Sequence, residues 1–161
     1  MKLFYSATSP FVRKCLVVAR ELGLQDRIEL VPASPHPVNR DPDVVARNPL
    51  GKIPTLLSGD GATLYDSRVI CEYLDAIGGG RLFPRDGAAH WTALAEQALG
   101  DGIMDAAVLV RYETAARPES LRWPEWIAGQ TEKLVSGLAY VERHAAGCRS
   151  RQPSDAKRRS R

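Results

Sequence analysis

No apolar run in this 161-residue chain approaches the roughly 18 residues that would read as a membrane span. Metal and phosphate signatures are also missing. There is no H-E-x-x-H and no G-x-x-x-x-G-K, and the three histidines, His36, His90 and His144, are scattered and form no ligand set. No metal and no tightly bound cofactor is therefore expected. Cysteine is scarce: Cys15, Cys71 and Cys148 make an odd count without motif spacing, which argues against a disulfide framework and fits a reducing compartment. Cys15 and Cys71 fall on apolar helix faces and read as small buried hydrophobes. The opening "MKLFY" gives out at Ser6, which makes no signal peptide, so a cytoplasmic protein without membrane attachment is expected.

What is present is an ordinary globular balance, 44% hydrophobic and 25% charged, enough for one domain of usual size or a small domain with part of a second. The net charge of +3 is unevenly placed. The last fourteen residues, "CRSRQPSDAKRRSR", hold six of the 22 Lys/Arg and one of the 19 Asp/Glu, a net +5 that leaves residues 1–147 at −2. The body therefore has no nucleic-acid signature, and no specific nucleic-acid partner is expected. The basic tail reads as a disordered, solvated end.

Along the chain, "KLFY" (2–5) is a short apolar strand. Ser9 can cap a helix whose first residue is Pro10, with Phe11, Cys15, Val18, Ala19 and Leu22 at helical spacing and Gly23 closing it. "RIELVP" (27–32) is a second strand, and a brief helix follows near Asp43–Arg47. Thr55–Leu57 and Thr63–Tyr65 flank "SGDGA", in which Asp60-Gly61 is a hairpin signal. Asp66 or Ser67 caps a helix running to Gly78, with Val69, Ile70, Tyr73, Leu74 and Ile77 on one face. The order is β-α-β-α-β-β-α, with a parallel β-α-β start and an antiparallel hairpin. After "GGGRLFPRDG" two long helices are expected over 88–115 and 119–146, split near "ARPES". In the second, Ile127, Thr131, Leu134, Leu138, Val141 and Ala145 recur every three to four residues. The expected organisation is a βαβαββα domain at 1–78, a linker at 79–87, a helical domain at 88–147 and a tail at 148–161.

Four stretches carry a resemblance: the serine-rich loop "SATSPFVRK" (6–14), "NPLGKIPTL" (48–56), "LYDS" (64–67) and "LFPRD" (82–86). In this order and spacing, over about residues 1–146, the chain resembles the cytosolic glutathione transferases, in particular bacterial members that use a serine. The resemblance implies an α/β thioredoxin-like N-terminal domain followed by an all-α C-terminal domain. It also implies a homodimer, glutathione as co-substrate, a small electrophile as partner and a role in detoxification. Relatives carry further helices, whereas residues 148–161 have no large apolar side chain, so the helical domain is expected to be incomplete.

By the same resemblance Ile53-Pro54 is cis, with the Ile53 backbone N–H and C=O free to pair with a peptide ligand in the manner of an added strand. Ser67 and the N–H groups at its helix start would take the γ-glutamyl carboxylate, and Asp66 the ammonium. Lys52 would meet the glycyl carboxylate, and Phe11, Ile53 and Pro54 line the peptide; Tyr5 and Phe11 would contribute to the electrophile site from the N-terminal domain. As chemistry, a free thiol with a pKa near 8.5 is only about 3% thiolate at pH 7. Lowering that value by about two units requires roughly 2.7 kcal/mol of preferential thiolate binding. A hydroxyl donor contributing about 1.5–3 kcal/mol, together with a helix N-terminus, can supply it. Ser9 is the first choice of donor, with Thr8 and Ser6 as alternatives. Met104, Val108, Arg111 and Tyr112, on the first long helix, are candidates for the electrophile site.

Two departures narrow the chemistry. Thioredoxins have C-x-x-C in this loop, and omega-like transferases have a cysteine before Pro-Phe; here Ser9 and Val12 stand at those places. A hydroxyl forms no mixed disulfide, so activation of glutathione is favoured over thiol transfer. Maleylacetoacetate isomerases usually carry adjacent serines and a cysteine in this loop; "SATSP" lacks that set, leaving an isomerase-like activity as a secondary alternative. A glutathione-binding or protein-interaction module without catalysis, or an inactive fragment, remains the alternative outside enzymes.

Overall fold

The computed structural model describes the backbone of residues 1–149 and the side chains of residues 1–145; Cys148 and the basic tail lie outside that description. The chain divides into a compact unit of Met1–Asp101 and a second from Gly102 onward.

The first unit is built on β1 (Lys2–Tyr5), which lies inside the sheet. β2 (Glu29–Pro32) pairs with it in parallel, and β3 (Thr55–Leu57) antiparallel on the other side. β4 (Thr63–Leu64) pairs antiparallel with β3, giving the order β2-β1-β3-β4. The parallel β1–β2 pair needs a crossover, and α1 (Pro10–Glu21) supplies it. Ser9 caps α1, accepting the Val12 N–H at 3.3 Å, and Pro10 occupies the first turn, where no intrahelical N–H is needed. Gly23, just past the helix, has φ +68°, the left-handed conformation that ends helices without a Cβ penalty. A short α2 (Pro42–Val45) is capped by Asp41, whose carboxylate accepts the Asp43, Val44 and Ser34 N–H groups; these bonds hold the Asp41 carboxyl below its ordinary value. α3 (Ser67–Ile77) is capped by Asp66, whose Oδ1 accepts the Arg68 N–H at 2.9 Å.

The core joins the sheet to α1 and α3: Leu3, Val12, Cys15, Ala19, Leu24, Leu56, Ile70, Cys71 and Leu74 are buried together. Leu3 and Leu56 are register partners on β1 and β3, so one face of the sheet and two helices share one apolar interior. Two expected faces are rotated slightly. On α1 the buried residue is Val12, while Phe11 is half-buried; on α3 Val69 is 45% exposed and Cys71 takes its place. Val69 lies on the far side of the stripe made by Ser67, Ile70, Cys71 and Leu74, which packs chiefly against α1.

The segment after α3 is pinned by a buried carboxylate. Asp75 accepts the backbone N–H groups of Arg81 and Leu82 on one oxygen and of Phe83 on the other, at 2.9–3.1 Å.

Two long helices follow, α4 (Gly87–Ala115) and α5 (Pro124–Arg149). The second does not start at 119 as expected. Glu119–Leu121 form a single 3-10 turn, and α5 begins at Pro124, whose ring disfavours helical backbone at Trp123 and suits a helix's first position. The turn is fastened by Glu113, which accepts the Trp123 N–H at 3.0 Å and the Arg117 Nε at 2.8 Å. The Trp123 N–H first, and Arg117 after it, hold the Glu113 carboxyl below its ordinary value. A depressed folded value means this stabilisation is present above the unfolded glutamate value of about 4.3 and is lost as pH falls through the folded one. Thermal melts of Glu113→Gln should therefore lose less stability than wild type between neutral pH and pH of about 3, narrowing the gap between the two in acid.

Within the second unit, Gly137 packs on Ile103: an added Cβ would stand 2.5 Å from Ile103 Cγ1. Ile103 is β-branched and strongly restricted at χ1 in a helix, so it yields little. Gly137→Ala should cost about 1–3 kcal/mol of overpacking against about 1 kcal/mol of helix propensity gained. Gly129→Ala, on the same helix with nothing within 4 Å of the added Cβ, should show the propensity gain alone. Urea midpoints of the two variants moving in opposite directions check this.

Candidate functional site

Three loops of the first unit converge on one end of the sheet. The antiparallel pairing of Phe4 with Thr55 sets the chain leaving β1, residues 6–9, beside the chain entering β3, residues 53–54. α1 starts from the first of these loops. The start of α3 is joined to α1 by Cys15, whose Sγ contacts the Ser67 C=O at 3.8 Å.

In the first loop, Ser9 is half-buried at the N-terminus of α1. Its oxygen accepts from Val12, which uses a lone pair and leaves the hydroxyl hydrogen uncommitted among the described residues. Ser6 and Thr8 are bonded to each other through their hydroxyls at 3.1 Å on the exposed side of the loop. Capping and donation are thus compatible in Ser9.

In the second loop, Ile53-Pro54 is cis, as the resemblance implied. Among the described residues neither the Ile53 N–H nor its C=O has a hydrogen-bond partner. Pro54 is buried and Ile53 half-buried. The loop's shape comes from two buried polar residues that sequence reasoning passed over. Asn48 donates from Nδ2 to the Lys52 C=O and to Thr55 Oγ1, both at 3.1 Å, and accepts the Leu50 N–H at 3.0 Å. Thr55 Oγ1 in turn donates to the Lys52 C=O at 2.8 Å. Gly51, at φ +61°, makes the turn between them. The signal was available, since Asn at the head of a Pro-Gly turn commonly bonds back to the loop. The Lys52 ammonium is exposed and belongs to no ion pair among the described residues.

In the third loop, Tyr65-Asp66 is also cis, a non-proline bond that the sequence does not announce. Asp66 is exposed, while Ser67 is only 2% exposed. The Ser67 hydroxyl has no hydrogen-bond partner among the described residues. Ser67 thus brings an unpartnered hydroxyl to the N-terminus of α3, where free N–H groups and the helix dipole favour an anion.

Behind these loops lies a buried carboxylate that spacing could not reveal. Asp101, on α4 and 2% exposed, accepts from Lys14 Nζ at 2.6 Å and Arg68 Nε at 2.7 Å. Lys14 belongs to α1 and Arg68 to α3, so a single carboxylate ties both helices that start at this end of the sheet.

Phe11 is half-buried beside this end of α1. Met104, Val108, Arg111 and Tyr112 lie on α4 in the second unit, Arg111 exposed and the other three half-buried. Their spacing puts them on one face of that helix. No group of three or more His, Cys, Asp or Glu is placed to hold a metal among the described residues. No helix among them is long and apolar enough to cross a membrane.

Known proteins show the same framework. Residues 8–77 match the glutathione S-transferase N-terminal domain. An uncharacterised GST-like protein of Escherichia coli (strain K12), YibF, is 36% identical over 143 residues, covering 88% of this chain and 68% of its own. Glutathione S-transferase 4 of Zea mays is 40% identical over 89 residues, 51% of this chain and 39% of its own. A glutathione transferase family member from Pseudomonas fluorescens Pf-5, solved with bound glutathione, superposes with a TM-score of 0.85 at 47% identity, covering 89% of this chain and 71% of that one. With its thioredoxin-like N-terminal fold and the helices that follow, this chain belongs to the glutathione S-transferase family.

Proposed function

We propose that this protein binds glutathione at the open end of the first unit and holds its thiol as a thiolate for attack on a small electrophile. The observation that carries the reading is Ser9: a half-buried hydroxyl at a helix N-terminus whose oxygen is used by the cap and whose hydrogen is free. The proposed donor to the glutathione sulfur is therefore Ser9; Ser6 and Thr8, which engage each other, are less available. The bound glutathione in the Pseudomonas fluorescens relative supports the ligand.

The peptide backbone of glutathione would pair with the free Ile53 N–H and C=O. Its γ-glutamyl carboxylate would take the Ser67 hydroxyl and the first N–H groups of α3, with Asp66 near the ammonium. Lys52 is the proposed partner of the glycyl carboxylate, and Phe11 and Pro54 line the site. Catalysis then follows from charge placement. A donor and a helix dipole stabilise S⁻ and not S–H, so the thiol loses its proton before the electrophile arrives. Met104, Val108, Arg111 and Tyr112 are the proposed contacts of the electrophile. A homodimer is part of the proposal, and sedimentation at twice the chain mass is its check.

The reading is tested by calorimetry with glutathione followed by turnover of an aryl halide. Binding and turnover are expected; binding without turnover would leave a glutathione-binding module, and neither would overturn the site. Ser67→Ala separates binding from chemistry. It should raise KM for glutathione about tenfold, one hydrogen bond to a charged group, with a smaller change in kcat.

A further inference from the structure

Cys15 on α1 and Cys71 on α3 face each other inside the first unit; neither is a proposed glutathione contact, although Cys15 Sγ also touches the Ser67 C=O. Their Sγ atoms are 3.9 Å apart, and the residues are 0% and 1% exposed. The two helices pack closely around them. Ala19, one turn beyond Cys15, is wholly buried, and at Gly78, just past α3, an added Cβ would stand 3.0 Å from Leu22 Cβ. Close packing through small residues is what a disulfide between helices needs, because its Cα atoms must lie within about 4.4–6.8 Å.

The two thiols are not equivalent. Contact with the Cys15 sulfur and, more weakly, the Lys14 charge hold the Cys71 thiol below its ordinary value. The same contact and burial push Cys15 up. An ionisable thiol with a protonated neighbour in sulfur contact is the pairing of an attacking and a resolving cysteine.

We propose that Cys15 and Cys71 form a dithiol that hydrogen peroxide converts to an intramolecular disulfide across α1 and α3, a two-electron redox site behind the glutathione site. The Cys71 thiolate attacks one peroxide oxygen and the O–O bond breaks; the departing hydroxide takes a proton and leaves as water, with Cys71 as the sulfenic acid. Cys15 sulfur then attacks Cys71 sulfur. The S–O bond breaks, the Cys15 proton goes to the leaving hydroxide, and a second water departs. One peroxide is reduced to two waters while the pair loses two electrons and two hydrogens. Peroxide is small enough to reach the pair during local opening of the unit.

The test uses the full chain carrying Cys148→Ser, so that only this pair remains. After peroxide sufficient to oxidise free glutathione completely, the protein is denatured, alkylated and peptide-mapped. One peptide pair joining Cys15 to Cys71 within a monomer, released by dithiothreitol, is the expected result. Adding Cys15→Ala should leave Cys71 trappable by dimedone as a sulfenic acid; adding Cys71→Ala should leave Cys15 alkylatable. Both thiols still alkylatable in the Cys148→Ser protein, Cys71 over-oxidised beside a free Cys15, or a link only between chains would each overturn the proposal. None of these outcomes depends on glutathione binding.

Discussion

Ser9→Ala is expected to lower kcat/KM for an aryl halide about tenfold or more, a loss of at least about 1.4 kcal/mol of transition-state stabilisation. Ser9 has two tasks in the structure, however, and alanine removes both. Losing the cap of α1 costs about 1 kcal/mol of stability by itself. The tasks separate by choice of substituent. Ser9→Asp keeps a good cap acceptor but sets a negative charge where the thiolate forms, so stability should survive while activity falls further than in alanine. Ser9→Thr retains both acceptor and donor and should stay within a few-fold of wild type. If Ser9 were only a cap, the alanine variant would lose stability but keep wild-type activity, and kinetics alongside thermal melts distinguish the two cases.

Asp101→Ala should be the most destabilising single change among the charged residues of the first unit. It strips a buried carboxylate from Lys14 and Arg68 at once and leaves Lys14, whose side chain is only 19% exposed, without its partner. Removing one member of a buried pair commonly costs about 3–5 kcal/mol. Arg68, with half its side chain exposed, can rehydrate, so the lower end, about 3 kcal/mol, is expected. For a chain of this size that corresponds to roughly 6–12 °C in melting temperature. Lys14→Met combined with Asp101→Leu should recover much of the loss, because an apolar pair of similar volume carries no desolvation cost. An unchanged melting temperature in Asp101→Ala would mean that the carboxylate does not hold α1 to α3.

The features readable from the sequence were those set by neighbours in the chain. Ser9-Pro10 marks a helix start within three residues, Asp60-Gly61 a hairpin, and Asp66 the start of α3. Asn48 and Thr55 were within reach, but their significance depends on burial, which no local pattern states. Asp101 was out of reach. Its partners lie 87 and 33 residues away, and a lone aspartate in a long helix looks like any solvated one. The same holds for the Cys15–Cys71 contact: helical spacing predicted that each sulfur is buried, but only the packing of α1 on α3 sets one against the other. The start of α5 was misplaced for a different reason. "PES" after "AR" has the composition of a helix entry, and Trp123-Pro124, the stronger stop-and-start signal, stands five residues later.

The central claim is that the protein stabilises the glutathione thiolate. The ionisation of bound glutathione, followed by thiolate ultraviolet absorbance across a pH titration at saturating protein, measures that directly. The account predicts a midpoint near 6.5, about two units below the free thiol value near 8.5, and its return toward the free value in Ser9→Ala. A midpoint in the wild type at the free value, with glutathione demonstrably bound, would contradict it.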